Sequence, residues 1–223
     1  MIPPPKPKMY RPCILVACEC SGIVRDAFEA AGWDAWSCDI KKSENGGKHH
    51  IGDAFEFMNS RDWDMLIAHP PCTRLCNSGI QWLTSPPKGK TLEEIWKELD
   101  EGAELFSKFL NSKIKRVAIE NPIMHYHVKK KIRNFIEPAQ LIQPWQFGHG
   151  ETKGTYLWLK NIPPLSPTNI VDGRESRIHN MRPGKDRSTE RSRTYTGIAK
   201  AMAEQWSWPL LKNFMSQSNL FTP

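Results

Sequence analysis

Short apolar runs alternate with amphipathic stretches along the chain, and this alternation predicts a parallel α/β sheet. The first run, residues 13–17, is continuously apolar, as expected of a buried central strand. Further strands are predicted at residues 34–38, 51–53, 64–69, 117–119, 139–142 and 155–159. The predicted class is therefore α/β, with a mostly parallel sheet and helices on both faces.

Amphipathic periodicity predicts the helices between these strands. Residues 21–31 carry one apolar face and begin at Ser21, a capping residue. Thr91, followed by two acids in the first turn, predicts a long helix that ends near residue 110. Further helices are predicted at residues 54–58, 124–135 and 195–206.

The 223 residues suffice for one domain with a sizeable core. We predict a flexible leader at residues 1–12, a single domain at 13–210 and a tail at 211–223. No run of about 18 apolar residues is present, which predicts a protein without a membrane span. The six cysteines crowd into the first third of the chain, a pattern typical of reduced thiols in a cytoplasmic protein rather than of a disulfide framework. We expect a monomer or a weak dimer.

The distribution of basic residues indicates a candidate class of partner. The net charge is +7, and basic residues concentrate in a Pro- and Arg-rich segment at residues 160–193 that we predict to be mostly loop. Such a block is compatible with a phosphate-rich partner, and a solvated surface loop is the alternative. Its arginines are Arg174, Arg177, Arg182, Arg187, Arg191 and Arg193.

Polar side chains follow several predicted strands at the point where each strand ends. Because the carboxyl ends of parallel strands meet at one edge of a sheet, we expect Asp39, Asp53, Cys72 and Glu120 to converge there. Asp39 lies about twenty residues past the first turn, the spacing at which an acid accepts from the ribose of an adenosine-type cofactor. The alternative for Asp39 is an ordinary acid at the start of a loop.

The strand at residues 64–69 is stopped by Pro70-Pro71, and Cys72 follows directly. Two prolines cannot continue a ladder, so the backbone turns out rigidly and carries a thiol at the ligand-binding edge. A thiol that adds to a ring carbon, with Glu120 donating to a ring nitrogen, makes C5 of cytosine nucleophilic. The alternatives are a packed core cysteine and a structural glutamate.

A zinc site is a further interpretation of the same region. Cys72 and Cys76 can be drawn together with His125 and His127, but this spacing matches no established ligand pattern. We therefore predict no metal.

The two strand-end motifs carry a resemblance to a known family. Pro70-Pro71-Cys72 resembles the catalytic Pro-Pro-Cys motif of cytosine-C5 DNA methyltransferases, and Glu120-Asn121-Pro122 resembles their Glu-Asn-Val motif. Residues 147–155 resemble the family's Gln-x-Arg-x-Arg motif, with Lys153 in place of an arginine. The order of motifs extends from about Cys13 to Trp206 and is most similar to small phage or prophage members.

The resemblance implies a Rossmann-like methyltransferase fold and a DNA or nucleotide substrate. It implies that Cys72 is the nucleophile, that Glu120 is the acid, and that Asn121 and Lys153 support the pocket. The residues implied for S-adenosylmethionine are Ala17, Cys18, Glu19, Cys20, Ser21, Gly22, Asp39, Ile40, Asp53 and Pro70. The residues expected at nucleic acid are Thr73, Arg74, Ser78 and the arginines of the basic segment.

Three departures from the family pattern bear on the substrate. The turn at residues 17–22 lacks the Phe-x-Gly-x-Gly pattern, and Thr73 stands where the family has glutamine. Only about thirty residues separate Leu159 from Arg193, where the family places a target-recognition domain. The leading hypothesis is methyl transfer to C5 of cytosine in DNA by a phage-encoded enzyme. The alternatives are modification of a free nucleotide or single strand, and an inactive binding protein that acts against a host defence.

Overall fold

Seven strands form one sheet in the computed structural model, which describes residues 11–182, 184 and 187–218. The strands are β1 (Cys13–Ala17), β2 (Asp34–Asp39), β3 (His49–Ile51), β4 (Met65–Ala68), β5 (Arg116–Asn121), β6 (Gln140–Ile142) and β7 (Thr155–Lys160). Their order across the sheet is β3-β2-β1-β4-β5-β7-β6. Strand β7 is antiparallel to β5 and β6, and the remaining pairings are parallel. This topology confirms the predicted α/β class with a mostly parallel sheet.

Helices cover both faces of the sheet. They are α1 (Ile23–Ala30), α2 (Ala54–Asn59), α3 (Leu92–Leu110), α4 (Tyr126–Lys129), α5 (Arg177–Asn180), α6 (Arg187–Ser192) and α7 (Thr196–Ser218), with 3-10 turns at Asn77–Leu83 and Pro144–Gln146. Alternate residues of the central strands face opposite layers. Leu15 and Leu66 pack with α2 and α3, whereas Ile14 and Ile67 pack with α1 and α7. None of the described helices is long and apolar enough to cross a membrane.

Side-chain hydrogen bonds cap the N-termini of helices α2 and α3. The Thr91 hydroxyl accepts from the amide of Glu94 (3.1 Å), and the Glu94 carboxylate accepts from the amide of Thr91 (2.7 Å). This capping box begins α3 where the sequence predicted it. At α2, the Asp53 carboxylate accepts from the amides of Phe55 and Glu56. Both helices therefore begin at fixed points relative to the sheet edge.

The predicted helix at residues 124–135 is wrong in extent, since only Tyr126–Lys129 is α-helical. The His125 side chain caps this short helix, and the chain leaves helical geometry before Asn134, which has a φ of 54°. The basic segment predicted as mostly loop contains the short helices α5 and α6. Helix α7 continues to Ser218, past its predicted end. Residues 1–10 of the predicted leader and 219–223 of the predicted tail lie outside the described residues.

Candidate active site

The carboxyl ends of β1, β4 and β5 lie side by side, because β1 and β5 both pair with β4 in parallel register. The chain leaves β4 through His69 and Pro70, and β5 ends at Glu120 and Asn121. The amide of His69 donates to the carbonyl of Ala17 (2.9 Å), which carries the parallel ladder one residue beyond β4. The predicted convergence of strand ends is therefore present for these elements.

Cys72 begins a single helical turn that brings two thiols together. The amides of Leu75 and Cys76 both donate to the Cys72 carbonyl (3.0 Å each), and the Cys72 thiol lies close enough to Cys76 for the two to affect each other's pKa. Leu75 is fully buried, so the turn is anchored in the core. The interaction with Cys76 and burial raise the pKa of Cys72, against a smaller opposing effect of the Lys153 charge.

Cys76 is the thiol with the stronger stabilisation of its anion. It precedes the 3-10 turn, and its sulfur lies 3.0 Å from the Ser78 hydroxyl. The hydrogen bond from Cys72 lowers the pKa of Cys76 to about 5, aided by the Ser78 hydroxyl and the amides of Ser78 and Gly79, and opposed by burial. The two thiols therefore titrate as a pair, in which Cys76 is the more acidic member.

Glu120 and His69 form a second buried pair. His69 Nδ1 lies 3.3 Å from Glu120 Oε2, and the side chains are only 12% and 13% exposed. Burial alone would raise the pKa of Glu120, but the hydrogen bond and charge of His69, with the charge of Lys153, lower it. The same carboxylate outweighs the effect of burial on His69 and raises its pKa.

Lys153 and the segment before α7 lie against these groups. The Lys153 ammonium donates to the carbonyl of Arg193 (3.0 Å), and the next residue, Thr194, donates its hydroxyl proton to Glu120 Oε2 (3.4 Å). The Lys153 charge acts on the pKa of Cys72, Glu120 and His69 alike. One ammonium thus lies within electrostatic range of Cys72 and Glu120, the thiol and carboxyl group that the sequence predicted to face one site.

Asn121 connects the two strand ends. Its Nδ2 donates to the carbonyl of Pro70 (3.4 Å), and the residue is 1% exposed. Its Oδ1 is buried and has no hydrogen-bond partner within the described part of the chain. Buried polar atoms are nearly always paired, so an unpaired acceptor at this edge points to a partner that the protein itself does not supply.

The predicted cofactor residues separate into two groups. Asp39 and Asp53 converge on the turn after β1, since burial and the charges of both acids raise the pKa of Cys18. Cys18 adopts a φ of 59°, a left-handed conformation that is rare outside glycine and recurs at ligand-binding turns. Ile40 follows Asp39 and is 80% exposed, which leaves an aliphatic surface open beside the acids.

Glu19 belongs to the other group, because both of its carboxylate oxygens accept hydrogen bonds within the protein, whereas Asp39 and Asp53 accept through Oδ1 alone in the part of the chain that the structure describes. It accepts from the amides of Val24 (2.7 Å) and Arg25 (3.3 Å) and from the hydroxyl of Ser21. Glu19 therefore caps α1 together with Ser21, whose hydroxyl accepts from the amide of Ile23 (3.3 Å). The assignment of Glu19 and Ser21 to the cofactor stays a prediction.

Most of the predicted nucleic-acid arginines have partners inside the protein. Arg74 pairs with Glu98 (2.7 Å), Arg177 with Glu151 (3.0 Å), and Arg193 with Glu44 (2.8 Å) and Glu190. The guanidinium of Arg174 stacks on the ring of Trp145, and Arg187 donates to the carbonyl of Met181. Thr73 and Ser78, which are close to Cys72 in the sequence, are exposed. Arg182 in the basic segment is also exposed. Arg182 and Arg191 have no ion-pair partner among the described residues.

The zinc interpretation does not fit the geometry. His125 is buried, its Nε2 donates to the Arg74 carbonyl (2.8 Å), and its Nδ1 accepts from the amide of Val128 (3.3 Å). Both ring nitrogens therefore have structural partners. Within the described residues, no group of three or more His, Cys, Asp or Glu side chains is arranged to hold a metal ion.

Sequence reasoning missed three residues of this pocket: His69, Cys76 as a thiolate, and Thr194. His69 precedes the double proline directly, so its position at a strand end was readable. Its pairing with Glu120 depends on β4 and β5 being neighbours, which the sequence alone does not state. Thr194 is 74 residues from Glu120, and no local signal connects the two.

Comparison with known proteins adds a likeness of fold. No protein-family model matches the chain, and no curated protein matches it. One similar solved structure is a proposed DNA modification methyltransferase encoded within a prophage (E. coli), with 14% identity, a TM-score of 0.46 and coverage of 72% of this chain. Another is the methyltransferase EhMeth of Entamoeba histolytica, with 16% identity, a TM-score of 0.44 and coverage of 79%. The chain spans 52% and 61% of the length of these two proteins.

Proposed function

We propose that this chain is an S-adenosylmethionine-dependent methyltransferase that transfers a methyl group to C5 of cytosine in DNA. The observation that carries the proposal is the arrangement of a thiol pair and a buried carboxylate around one ammonium. Cys72 and Glu120 leave neighbouring parallel strands, and the charge of Lys153 acts on both. A nucleophile and a proton-handling group on either side of one pocket suit addition to an electron-poor ring.

The chemistry proceeds by addition and elimination. The Cys72 sulfur forms a bond to C6, and its proton passes to the neighbouring Cys76 sulfur, whose pKa is lowered. Glu120 directs a proton to N3, and the electron pair of the C5–C6 double bond moves to C5, which takes up the methyl group. Loss of the C5 proton to a base then restores the double bond and expels Cys72. Lys153 offsets negative charge that develops in the pocket.

S-adenosylmethionine supplies an electrophilic methyl group when it is bound. The residues at the neighbouring edge fit such a group: Asp39 and Asp53 offer acceptors for hydroxyl and amino groups, and exposed Ile40 offers an apolar surface for a ring. The turn at Gly22 has a φ of 73°, and a side chain there would meet the guanidinium of Arg25. Glycine at this position therefore lets the turn pack closely against Arg25.

The test is transfer of a labelled methyl group to DNA, with duplex, single strand and cytidine nucleotide assayed side by side. We expect transfer by the wild-type chain and a loss of at least about 1,000-fold in Cys72→Ser, because the alcohol is a far weaker nucleophile than a thiolate. Cys13→Ser, at the opposite end of β1, is the matched control and should retain full transfer. Equal transfer by Cys72→Ser and wild type would contradict the assignment.

The three substrates also decide between the remaining functions. Transfer only to single strands or nucleotides would fit a pocket whose neighbouring arginines are mostly paired internally. Calorimetric titration with S-adenosylhomocysteine is done in parallel. Binding of S-adenosylhomocysteine without methyl transfer would favour the inactive binding protein. Absence of both binding and methyl transfer would overturn the methyltransferase proposal.

A further inference from the structure

His69 has no role in the reaction as described so far, although it touches the residue that handles the proton. We propose that His69 holds the proton that Glu120 delivers to the ring nitrogen of the substrate. The pair then enters the reaction as an imidazolium and a carboxylate, and His69 acts through Glu120 as a positioning and proton-storing residue. This inference rests on the proposed function, and it concerns where the acid's proton comes from.

The contact geometry supports a shared proton. His69 Nδ1 lies 3.3 Å from Glu120 Oε2, and the two side chains are enclosed at neighbouring strand ends. A bare ring nitrogen would repel the lone pairs of a carboxylate, so the hydrogen between them belongs on Nδ1. The Thr194 hydroxyl also donates to Oε2, which leaves Oε1 as the carboxylate oxygen without a protein donor among the described residues.

The charges that face His69 favour the imidazolium. Glu120 from β5 and Glu19 from the turn after β1 stabilise a positive ring, whereas Lys153 and burial oppose it. Two carboxylates against one ammonium give a net attraction, and the pKa of His69 is raised. Its Nε2 is buried and has no partner within the described part of the chain, so a second ring N–H would require a partner that these residues do not supply.

The proton balance of the addition step follows from this state. A carboxylate with a lowered pKa carries no proton at neutral pH, so Glu120 alone cannot protonate N3. One proton passes from His69 Nδ1 to the carboxyl group, and the carboxyl group gives one proton to N3. His69 ends neutral and the base carries the positive charge. Elimination of Cys72 returns the proton by the same route, so no further reactant is needed.

The first experiment observes His69 without turnover. Nitrogen NMR of the histidine rings, titrated in the free wild-type protein, should show His69 as an imidazolium at pH 7. In Glu120→Gln the His69 ring should lose its proton at a lower pH than in the wild type. A neutral His69 ring at pH 7 in the wild-type protein would overturn the inference, whatever the outcome of the methyl-transfer assays. Circular dichroism of each variant separates misfolding from a change in ionisation.

The second experiment follows the pH profile of kcat/KM for methyl transfer. Because the reactive form of the enzyme is the one with a protonated His69, the wild-type value of kcat/KM should fall at high pH as His69 loses its proton. His69→Gln keeps a polar side chain but cannot store the proton, so the rate at pH 7.5 should fall roughly 10- to 100-fold and the descending limb should move to lower pH. His179→Gln, on the exposed surface of α5, is the matched control.

The two experiments separate the inference from the proposed function. An unchanged descending limb in His69→Gln would overturn the role of His69 while leaving the methyltransferase assignment intact. Absence of transfer by the wild type to any cytosine substrate would overturn both the proposed function and delivery of the proton to a substrate. The NMR result would then still decide whether His69 and Glu120 form an ion pair.

Discussion

The ionisation of Cys76 is the most direct consequence of the thiol pair that can be measured. In the folded protein its sulfur lies 3.0 Å from the Ser78 hydroxyl, and the Cys72 thiol and the amides of Ser78 and Gly79 also stabilise its anion. These donors lower the pKa of Cys76 from 9.0 to about 5. We predict that one thiolate persists in the wild-type chain down to about pH 5 and is absent below pH 8 in Cys76→Ser.

The size of the effect follows from that pKa. A thiol of pKa about 5 is roughly 99% ionised at pH 7, whereas one of pKa about 9 is roughly 1% ionised, a difference of about 100-fold. The intrinsic nucleophilicity of a thiolate falls as its pKa falls, by a factor of roughly 40 to 100 over four pKa units. The two effects nearly cancel, so Cys76 gains little as an attacking group. Its ionisation is useful chiefly because a thiolate can accept the proton of Cys72.

The assay is a pH titration of the ultraviolet absorbance of thiolates. Wild type should lose one thiolate's absorbance near pH 5, and this step should disappear in Cys76→Ser. Ser78→Ala removes one donor and should move the step to higher pH, while Cys20→Ser, whose pKa is raised by burial and nearby acids, should leave it in place. A wild-type chain with no thiolate at pH 7 would refute the reasoning, as would the same step in Cys76→Ser.

Two further predictions concern the scaffold and the partner surface. Ser207→Ala removes the acceptor of the buried Trp33 indole N–H (2.6 Å) and should lower the free energy of unfolding by about 1–3 kcal/mol in a denaturant titration; an unchanged midpoint would contradict the bond's role. Arg182→Gln should weaken single-stranded DNA binding and reduce the salt slope of log K by about 0.7. Arg74→Gln, which breaks the pair with Glu98, should leave that slope unchanged, and the reverse result would refute this division of the arginines.

The strands were predictable because buried parallel strands are short continuous apolar runs bounded by turn residues. The strand predicted at residues 13–17 has the same bounds as β1. The strand predicted at residues 64–69 matches β4 to within one residue at each end. The helix predicted at residues 124–135 failed for a tertiary reason. There, the side chain of His125 binds both the Arg74 carbonyl and the amide of Val128, and this local packing outweighs helix propensity.

The roles of charged residues were less predictable than their positions. Arg193 pairs with Glu44, 149 residues away, and Arg177 with Glu151, 26 residues away. A basic block in a sequence shows how many cations are present, but only the fold shows how many are free of internal carboxylates. Glu19 makes the same point for an acid, since a capping residue and a ligand-binding residue are the same side chain until its amide partners are known.

Each of the two residues that the motifs identify is paired with a neighbour that titrates. Cys72, the motif nucleophile, has its pKa raised beside Cys76, and Glu120, the motif acid, has its pKa lowered beside His69, whose own pKa is raised. Neither motif residue is in its reactive form at rest. Attack requires the proton of Cys72 to move to Cys76 and the proton of His69 to move through Glu120 to the base. The first transfer leaves the charge of the thiol pair unchanged, and the second only moves one positive charge from imidazole to substrate. A buried site can therefore activate both groups without gaining or losing net charge, which avoids the desolvation cost of a new isolated ion. On this argument the reactive unit is two hydrogen-bonded pairs around Lys153, and a double substitution of His69 and Cys76 should cost no more than the larger of the two single substitutions if the transfers are concerted.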